Sequence, residues 1–237
     1  MEINELNILI INLEKNPLRK KFMTDQMLGL GLTNYKFIDA IDGQILPIEE
    51  REKYLSRKNF KTMITVNNNQ TNKKKIWGRV GCLFSHLKAL EFAVDNDYQN
   101  ILILEDDMKL DPLRFNDPLP KYILGSDMLY LGGTLSIKNT FQTFVGWNLI
   151  DSNKFKCYGT GSYIIIGNEK IKTILEIIKN VKPSAIDNIY VNHIHSLGKS
   201  YIINPVRCIH NDNFISDVSC YGKPTKHRYK HLQYNLL

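Results

Sequence analysis

Ile101-Leu102-Ile103-Leu104-Glu105-Asp106-Asp107 sets four apolar residues directly against three carboxylates. The apolar run has the length and composition of a buried strand, so the acids stand where that strand emerges. Three adjacent negative charges repel one another, and holding them together calls for a positive partner. Side chains alternate along an extended chain, so Glu105 and Asp107 are expected on one side and Asp106 on the other. A carboxylate pair at the carboxyl end of a strand suits a hard divalent cation, Mn²⁺ or Mg²⁺, that also meets substrate phosphates. A solvated acidic turn has the same signature, and these residues alone leave both readings open.

The elements around this segment read as a chain of alternating strands and helices. Asn7 to Ile11 is a short buried strand, and Pro17 suits the first turn of a helix running to Leu28, where Gly29 and Gly31 stop it. Tyr35-Lys36-Phe37-Ile38 is a second strand, closed by Asp39-Ala40-Ile41-Asp42-Gly43 with its Asp-Gly turn signal. Val66 to Lys75 is polar and without hydrophobic period, the pattern of a surface loop. From Val80 to about Val94, Leu83, Leu87, Leu90 and Val94 recur at helical spacing. Asp111-Pro112 can start a short helix. Met128 to Leu131 and Tyr163 to Ile166 read as strands, with Asn168 as the N-cap of the helix carrying Ile171, Ile174, Leu175 and Ile178. A second helix over Ala185 to Leu197 and a strand over Tyr201 to Ile203 follow. This alternation predicts an α/β fold with a mostly parallel sheet flanked by helices. One domain is expected over 1–237, with a half to about residue 107 and a later half beyond it.

Composition narrows the partners. The formal net charge of +7 favours anions such as nucleotide phosphates or acidic headgroups. Lysines are spread along the whole chain, unlike the basic stripe with interleaved aromatics of a nucleic-acid binder, so none is expected as a partner. No apolar run approaches the roughly 20 residues that span a bilayer. The acidic opening Met1-Glu2-Ile3-Asn4-Glu5 lacks the character of a signal peptide, and Cys82, Cys157, Cys208 and Cys220 form no CxxC pair. These features predict reduced thiols and a cytoplasmic location. The basic tail from Gly222 is open to three readings: a lid over a bound nucleotide, an attraction to an anionic membrane or saccharide, or a solvated end.

Four separated pieces carry a resemblance when taken in order: Ile10-Ile11-Asn12-Leu13 leading to Arg19; Asp39-Ala40-Ile41-Asp42-Gly43; Gly78-Arg79-Val80-Gly81-Cys82-Leu83-Phe84-Ser85-His86; and Ile103-Leu104-Glu105-Asp106-Asp107. Their order and spacing resemble glycosyltransferase family 25, which includes lipooligosaccharide and procollagen hydroxylysine galactosyltransferases. Gly159-Thr160-Gly161-Ser162-Tyr163, Pro183-Ser184-Ala185-Ile186-Asp187 and Ser216-Asp217-Val218 are also similar to that family, so the likeness covers residues 6 to 220. The resemblance implies a GT-A fold, a UDP-sugar donor, Mn²⁺ dependence and transfer with inversion to a glycan, glycolipid or collagen-like protein.

The resemblance also assigns roles. Asp107 with Glu105 would hold the metal, and His210, after the last strand, is the late candidate ligand. Asp106, facing away, would hold the sugar or a basic side chain. Asn12, Leu13, Arg19 and Asp42 would lie on the nucleotide side, although Arg19 could equally be a helix-surface charge. Ser85 and His86, on a glycine-rich approach with Arg79, read as a helix start offering backbone N–H groups to the donor diphosphate; an ordinary helix start reads the same way. His193 and His195 are two apart on a helix and face different sides. Inversion needs a general base for the acceptor hydroxyl. Asp187 is the first choice and Asp217 the second, while a carboxylate favoured by the helix dipole is the duller account of Asp187. Trp147, Tyr158 and Tyr163 could offer aromatic faces to an acceptor or simply fill the core. Two other function classes fit the acids less well: a non-catalytic nucleotide-sugar- or glycan-binding relative, and a cation-dependent phosphoesterase.

Overall fold

The apolar runs predicted to be buried strands lie side by side. A computed structural model describes residues 1–47, 49, 70–137, 145–151 and 155–214. In it β1 (Asn7–Asn12) pairs in parallel with β2 (Tyr35–Asp39) on one side and β3 (Asn100–Glu105) on the other. Helix α1 (Pro17–Gly29) connects β1 to β2, and the long α2 (Gln70–Asp95) feeds β3. Beyond the acidic segment come β4 (Met108–Leu110), β5 (Met128–Tyr130), β6 (Thr134–Ile137), β7 (Gly146–Leu149), β8 (Phe155–Tyr158) and β9 (Ser162–Ile166). Helix α3 (Asn168–Asn180), the short α4 (Ile186–Ile189), β10 (Ser200–Asn204) and β11 (Cys208–His210) complete the described chain.

Seven strands form one sheet in the order β2-β1-β3-β9-β5-β10-β7. Five of them run the same way; β9 and β7 are reversed. Two small ribbons, β4 with β11 and β6 with β8, lie outside it. Strand alternation divides the core into two layers. Leu9, Ile11, Ile101, Ile103, Tyr130, Tyr163 and Ile165 pack with residues of α2, α3 and α4. Ile8, Ile10, Leu102, Leu104, Leu129 and Ile164 pack on the opposite face with Met23 and Met27 of α1 and with Phe115, Leu119 and Ile123. The near-continuous hydrophobic strands are therefore buried on both faces, as a sheet covered by helices requires.

Local physics moves several expected boundaries. Gln70 to Lys75 belong to the first turns of α2 rather than to a loop, while Val66 to Asn69 lie outside the described residues. No helix starts at Asp111-Pro112. There the Asp111 carboxylate accepts the Leu113 N–H, and its carbonyl accepts those of Arg114 and Phe115, closing a tight turn. Gly167, at φ +102°, occupies the N-cap position of α3. Asn168 is the first helical residue, and its amide donates to the Tyr98 carbonyl across the packing interface. Past α4 the chain widens into a π turn over Tyr190–Ile194 and tightens into a 3₁₀ turn over His195–Leu197, in place of one regular helix.

Candidate active site

The parallel register brings the chemistry-bearing strand ends to one edge. Asn12 stands opposite Asp39, and Ile11 stands opposite Glu105. Above them opens a cleft of about 660 Å³, at the carboxyl ends of β1, β2 and β3, walled on one side by α2. Ligand crevices in open α/β sheets fall at this edge. Leu13, Arg19, Asp42, Ser85, His86, Glu105, Asp106 and Asp107, all singled out in the sequence, line it.

The three acids are each held by a different group. Regular strand geometry ends at Glu105, and Asp106 and Asp107 form a turn into β4. Glu105 keeps the direction of Ile103, toward α2: its Oε1 accepts the Thr160 hydroxyl at 2.8 Å and lies 3.2 Å from His86 Nε2. Burial alone would raise the Glu105 pKa. The His86 hydrogen bond, the charges of His86 and His210 when protonated, and the Thr160 hydroxyl outweigh it and hold the group at about 2. Asp106 faces the α1 side as alternation predicts, and meets a basic side chain there: Arg19 at 2.8 Å and the Asn12 amide at 2.7 Å. Its burial nevertheless pushes it up to about 6, because desolvation exceeds what Arg19 and Asn12 return. Arg19 is thus a buried counter-ion and no surface charge; it also lies 3.7 Å from Asp107 and 5.4 Å from the Phe214 ring centre. Asp107 lies 3.3 Å from His210 Nδ1. Pairing of β11 with β4 sets His210 opposite Met108, which brings a residue a hundred positions away beside the acidic turn.

Glycine-81, Ser85 and His86 sit in the middle of α2, so their backbone N–H groups are spent within the helix and no helix start faces the cleft. Their positions have a different reason. The Ile41 N–H donates to Ser85 Oγ at 2.8 Å, and the hydroxyl donates in turn to the Gly81 carbonyl. A Cβ on Gly43 would stand 1.8 Å from the Trp77 carbonyl oxygen, and one on Gly81 would stand 2.4 Å from that of Ile41. Main chain therefore meets main chain where the loop after β2 crosses α2, and only glycine fits. His86 is buried; its Nδ1 lies 2.9 Å from the Tyr163 hydroxyl, which lies 2.9 Å from that of Tyr190. Nε2–H can be given to Glu105 while Nδ1 accepts from Tyr163, and the Tyr163–Tyr190 pair allows the reverse arrangement as well.

The remaining predicted residues distribute unevenly. Asp42, at the rim, pairs with Lys15. Partial burial raises its pKa, but the Lys15 hydrogen bond, the Gln44 N–H and the Lys15 charge together bring it below its ordinary value. Arg79 is exposed on α2 and does not line the cleft. Asp187 lies in the first turn of α4, within electrostatic reach of the cleft-lining Cys82. Asp217 and the basic tail lie outside the described residues. His193 is exposed and His195 buried against the Tyr130 hydroxyl, so the two do face apart. Tyr163 is core, and the Arg207 guanidinium sits 5.7 Å from the ring centre of half-buried Trp147. Lys15, Gln44 and Cys82, which line the cleft, and Thr160, which holds Glu105, had no role assigned from the sequence. Thr160 was visible only within its Gly-Thr-Gly motif, and Lys15 carries no signal beyond its charge.

Fold and site together define an α/β protein with an acid-floored ligand cleft at its parallel strand ends. The family model described as "Glycosyltransferase family 25 (LPS biosynthesis protein)" matches residues 5–190, a span that contains the whole cleft. The chain belongs to glycosyltransferase family 25. It is similar to a glycosyltransferase 25 family member of Aedes aegypti, 29% identical over 131 residues, which are 53% of this chain and 21% of that protein. A second such member, from Drosophila pseudoobscura pseudoobscura, is 27% identical over 106 residues, 45% of this chain and 16% of that protein. The matches thus take in about a fifth of these curated relatives' own length. Among solved structures, A197 from STIV overlaps 90% of this chain and 87% of its own at a TM-score of 0.42 and 13% identity, a likeness too distant to bear on function. Among the described residues, no helix is long and apolar enough to cross a membrane.

Proposed function

We propose that this protein is a glycosyltransferase that takes a hexose from a UDP-sugar, with galactose the first candidate, and passes it to a saccharide or hydroxylysine acceptor with inversion. The observation that carries this reading is the cleft itself: every motif of the family resemblance up to Asp107 contributes a residue to one crevice at the parallel strand ends. The "LPS biosynthesis" wording of the family description favours a saccharide acceptor.

Asp107 and His210 form a two-residue donor pair for a divalent cation, while Glu105 turns toward His86 and Thr160. Asp107 and His210 stand 3.3 Å apart at the acidic turn, Glu105 is close enough to feel the His210 charge, and carboxylate oxygens with one imidazole suit Mn²⁺ or Mg²⁺. A cation held by Asp107 and His210 would neutralise charge between the acidic turn and the diphosphate that leaves with UDP. The chain's own groups do the rest. Arg19 and Asn12 hold Asp106 and so fix the turn that presents Asp107. Leu13, Ile41 and the Lys15–Asp42 pair form the rim on which the nucleoside would lie. Asp187 takes the proton of the acceptor hydroxyl as that oxygen attacks the anomeric carbon.

A panel of UDP-sugars incubated with the protein, with and without Mn²⁺ and read as UDP release and sugar transfer, tests the reading. Metal-dependent UDP release from one sugar, abolished in Asp107→Ala while its unfolding midpoint stays unchanged, is the expected result. UDP-sugar binding with no release under any acceptor would make the protein a binding relative. Release of inorganic phosphate without sugar transfer would make it a phosphoesterase.

A further inference from the structure

The α2 wall of the cleft carries a second set of donors, different in chemistry from the acidic turn. Cys82 and His86 are four residues apart on α2 and so share one face, and Glu105 meets that face from the end of β3. Cys82 Sγ, a His86 ring nitrogen and a Glu105 carboxylate oxygen all lie within 4.8 Å of one another. We propose that Cys82, His86 and Glu105 form a zinc-binding site whose fourth position opens into the cleft. The proposal does not depend on the glycosyltransferase reading.

Ligand type selects the metal. A thiolate with an imidazole and one carboxylate is a zinc set, while Mg²⁺ and Mn²⁺ prefer all-oxygen or oxygen-rich surroundings. Three protein ligands and an open position are the pattern of an accessible rather than a sealed zinc centre. All three residues line the cleft, which supplies the entry path. With bonds of about 2.0–2.3 Å, ligand atoms around a tetrahedral zinc stand roughly 3.3–3.8 Å apart. The three side chains therefore need to draw in by about 1.5 Å at most.

The surroundings support each ligand. Metal-bound histidines are oriented by a partner on the other ring nitrogen, and His86 has one in the Tyr163 hydroxyl, itself backed by Tyr190. Either hydroxyl can donate in that pair, so the chain serves both tautomers: when Nε2 turns to metal, Nδ1–H donates to Tyr163 and Tyr163 to Tyr190. Thr160 holds Glu105 Oε1 and is also hydrogen-bonded to Cys82. Burial first, then the charges of Glu105, Asp187 and Asp107, push the Cys82 thiol up.

X-ray absorption at the zinc edge, on the unaltered protein with one equivalent of Zn²⁺, should show one sulfur with imidazole and oxygen neighbours. A shell of nitrogen and oxygen alone overturns the site. Loaded with Co²⁺ instead, the protein should show a thiolate-to-cobalt charge-transfer band that persists in Asp107→Ala and Cys220→Ser and vanishes in Cys82→Ser. A band surviving in Cys82→Ser overturns the site as well. Differential alkylation read by mass spectrometry needs no variant. Zn²⁺ must protect Cys82, and equal labelling of Cys82 with and without the metal rejects the proposal. None of these readouts uses sugar transfer, so a failure of the catalytic reading leaves them unaffected.

Discussion

The two flanks of the cleft floor hold neighbouring carboxylates in opposite ways. On the α2 flank, Glu105 is tied into a run of hydrogen bonds through His86, Tyr163 and Tyr190, and its pKa falls to about 2. On the α1 flank, Asp106 has a guanidinium and an amide against it, yet burial lifts it to about 6. One peptide step past the end of β3 thus separates a carboxyl held at about 2 from one pushed up to about 6. Burial raises both groups and each has two donors; the balance against neighbouring charges differs, with His86 and His210 lowering Glu105 and Asp107 adding to the rise of Asp106.

Removing the α1 cation should have the largest effect. Arg19→Ala leaves Asp106 and Asp107 buried without it and should cost about 3–5 kcal/mol, measured by urea unfolding at pH 7. A loss below 1 kcal/mol would mean that the α1 flank is wet and the contrast with α2 false. Next comes the pH signature, about 3 kcal/mol on each flank at 1.36 kcal/mol per pKa unit. Glu105, depressed from 4.5 to about 2, contributes stability that is full above pH 4.5 and lost as pH falls toward 2. Asp106, raised from 3.8 to about 6, has the opposite sign: its contribution is present below pH 3.8 and lost as pH rises through 6. Carboxyl carbon NMR should find the two titrating near 2 and near 6, and a common midpoint near 4 would erase the distinction.

Tyr163→Phe cuts the α2 network at its middle, leaves His86 and Tyr190 short of a partner, and should cost about 1–3 kcal/mol. The same substitution should leave the Asp106 titration where it was, which would show that the flanks are independent. The smallest effect belongs to the rim. Lys15→Ala breaks a pair whose lysine is half exposed, and should change stability by less than about 1 kcal/mol.

The same asymmetry explains what could be read from the sequence. The first three strands, the opposed directions of Glu105 and Asp106, and the need for a positive partner all follow from apolar runs and strand alternation. Arg19 could not be identified as that partner, because its pairing with Asp106 spans 87 positions and depends on how α1 packs. β4, β6, β7, β8 and β11 run three or four residues each, too short for alternation to register. The segment from Gly78 to His86 read as a helix start because two glycines follow a polar stretch. It is instead helix interior, and Gly81 is there for the crossing of the loop after β2. His210 was visible as a candidate after a last strand, but its approach to Asp107 depends on a ribbon that no periodicity announced.

That backbone-on-backbone crossing also bears on redesign. A wall made of main chain has no side chain to trim or extend, so the contact between Gly43 and α2 cannot be retuned by ordinary substitution. Adding a methyl group at Gly81 would lever the loop off the helix and pull Ile41 from Ser85 rather than reshape the opening. Leu13 and Lys15 instead line the cleft with side chains, so substitutions there can change its shape without disturbing the loop–helix crossing.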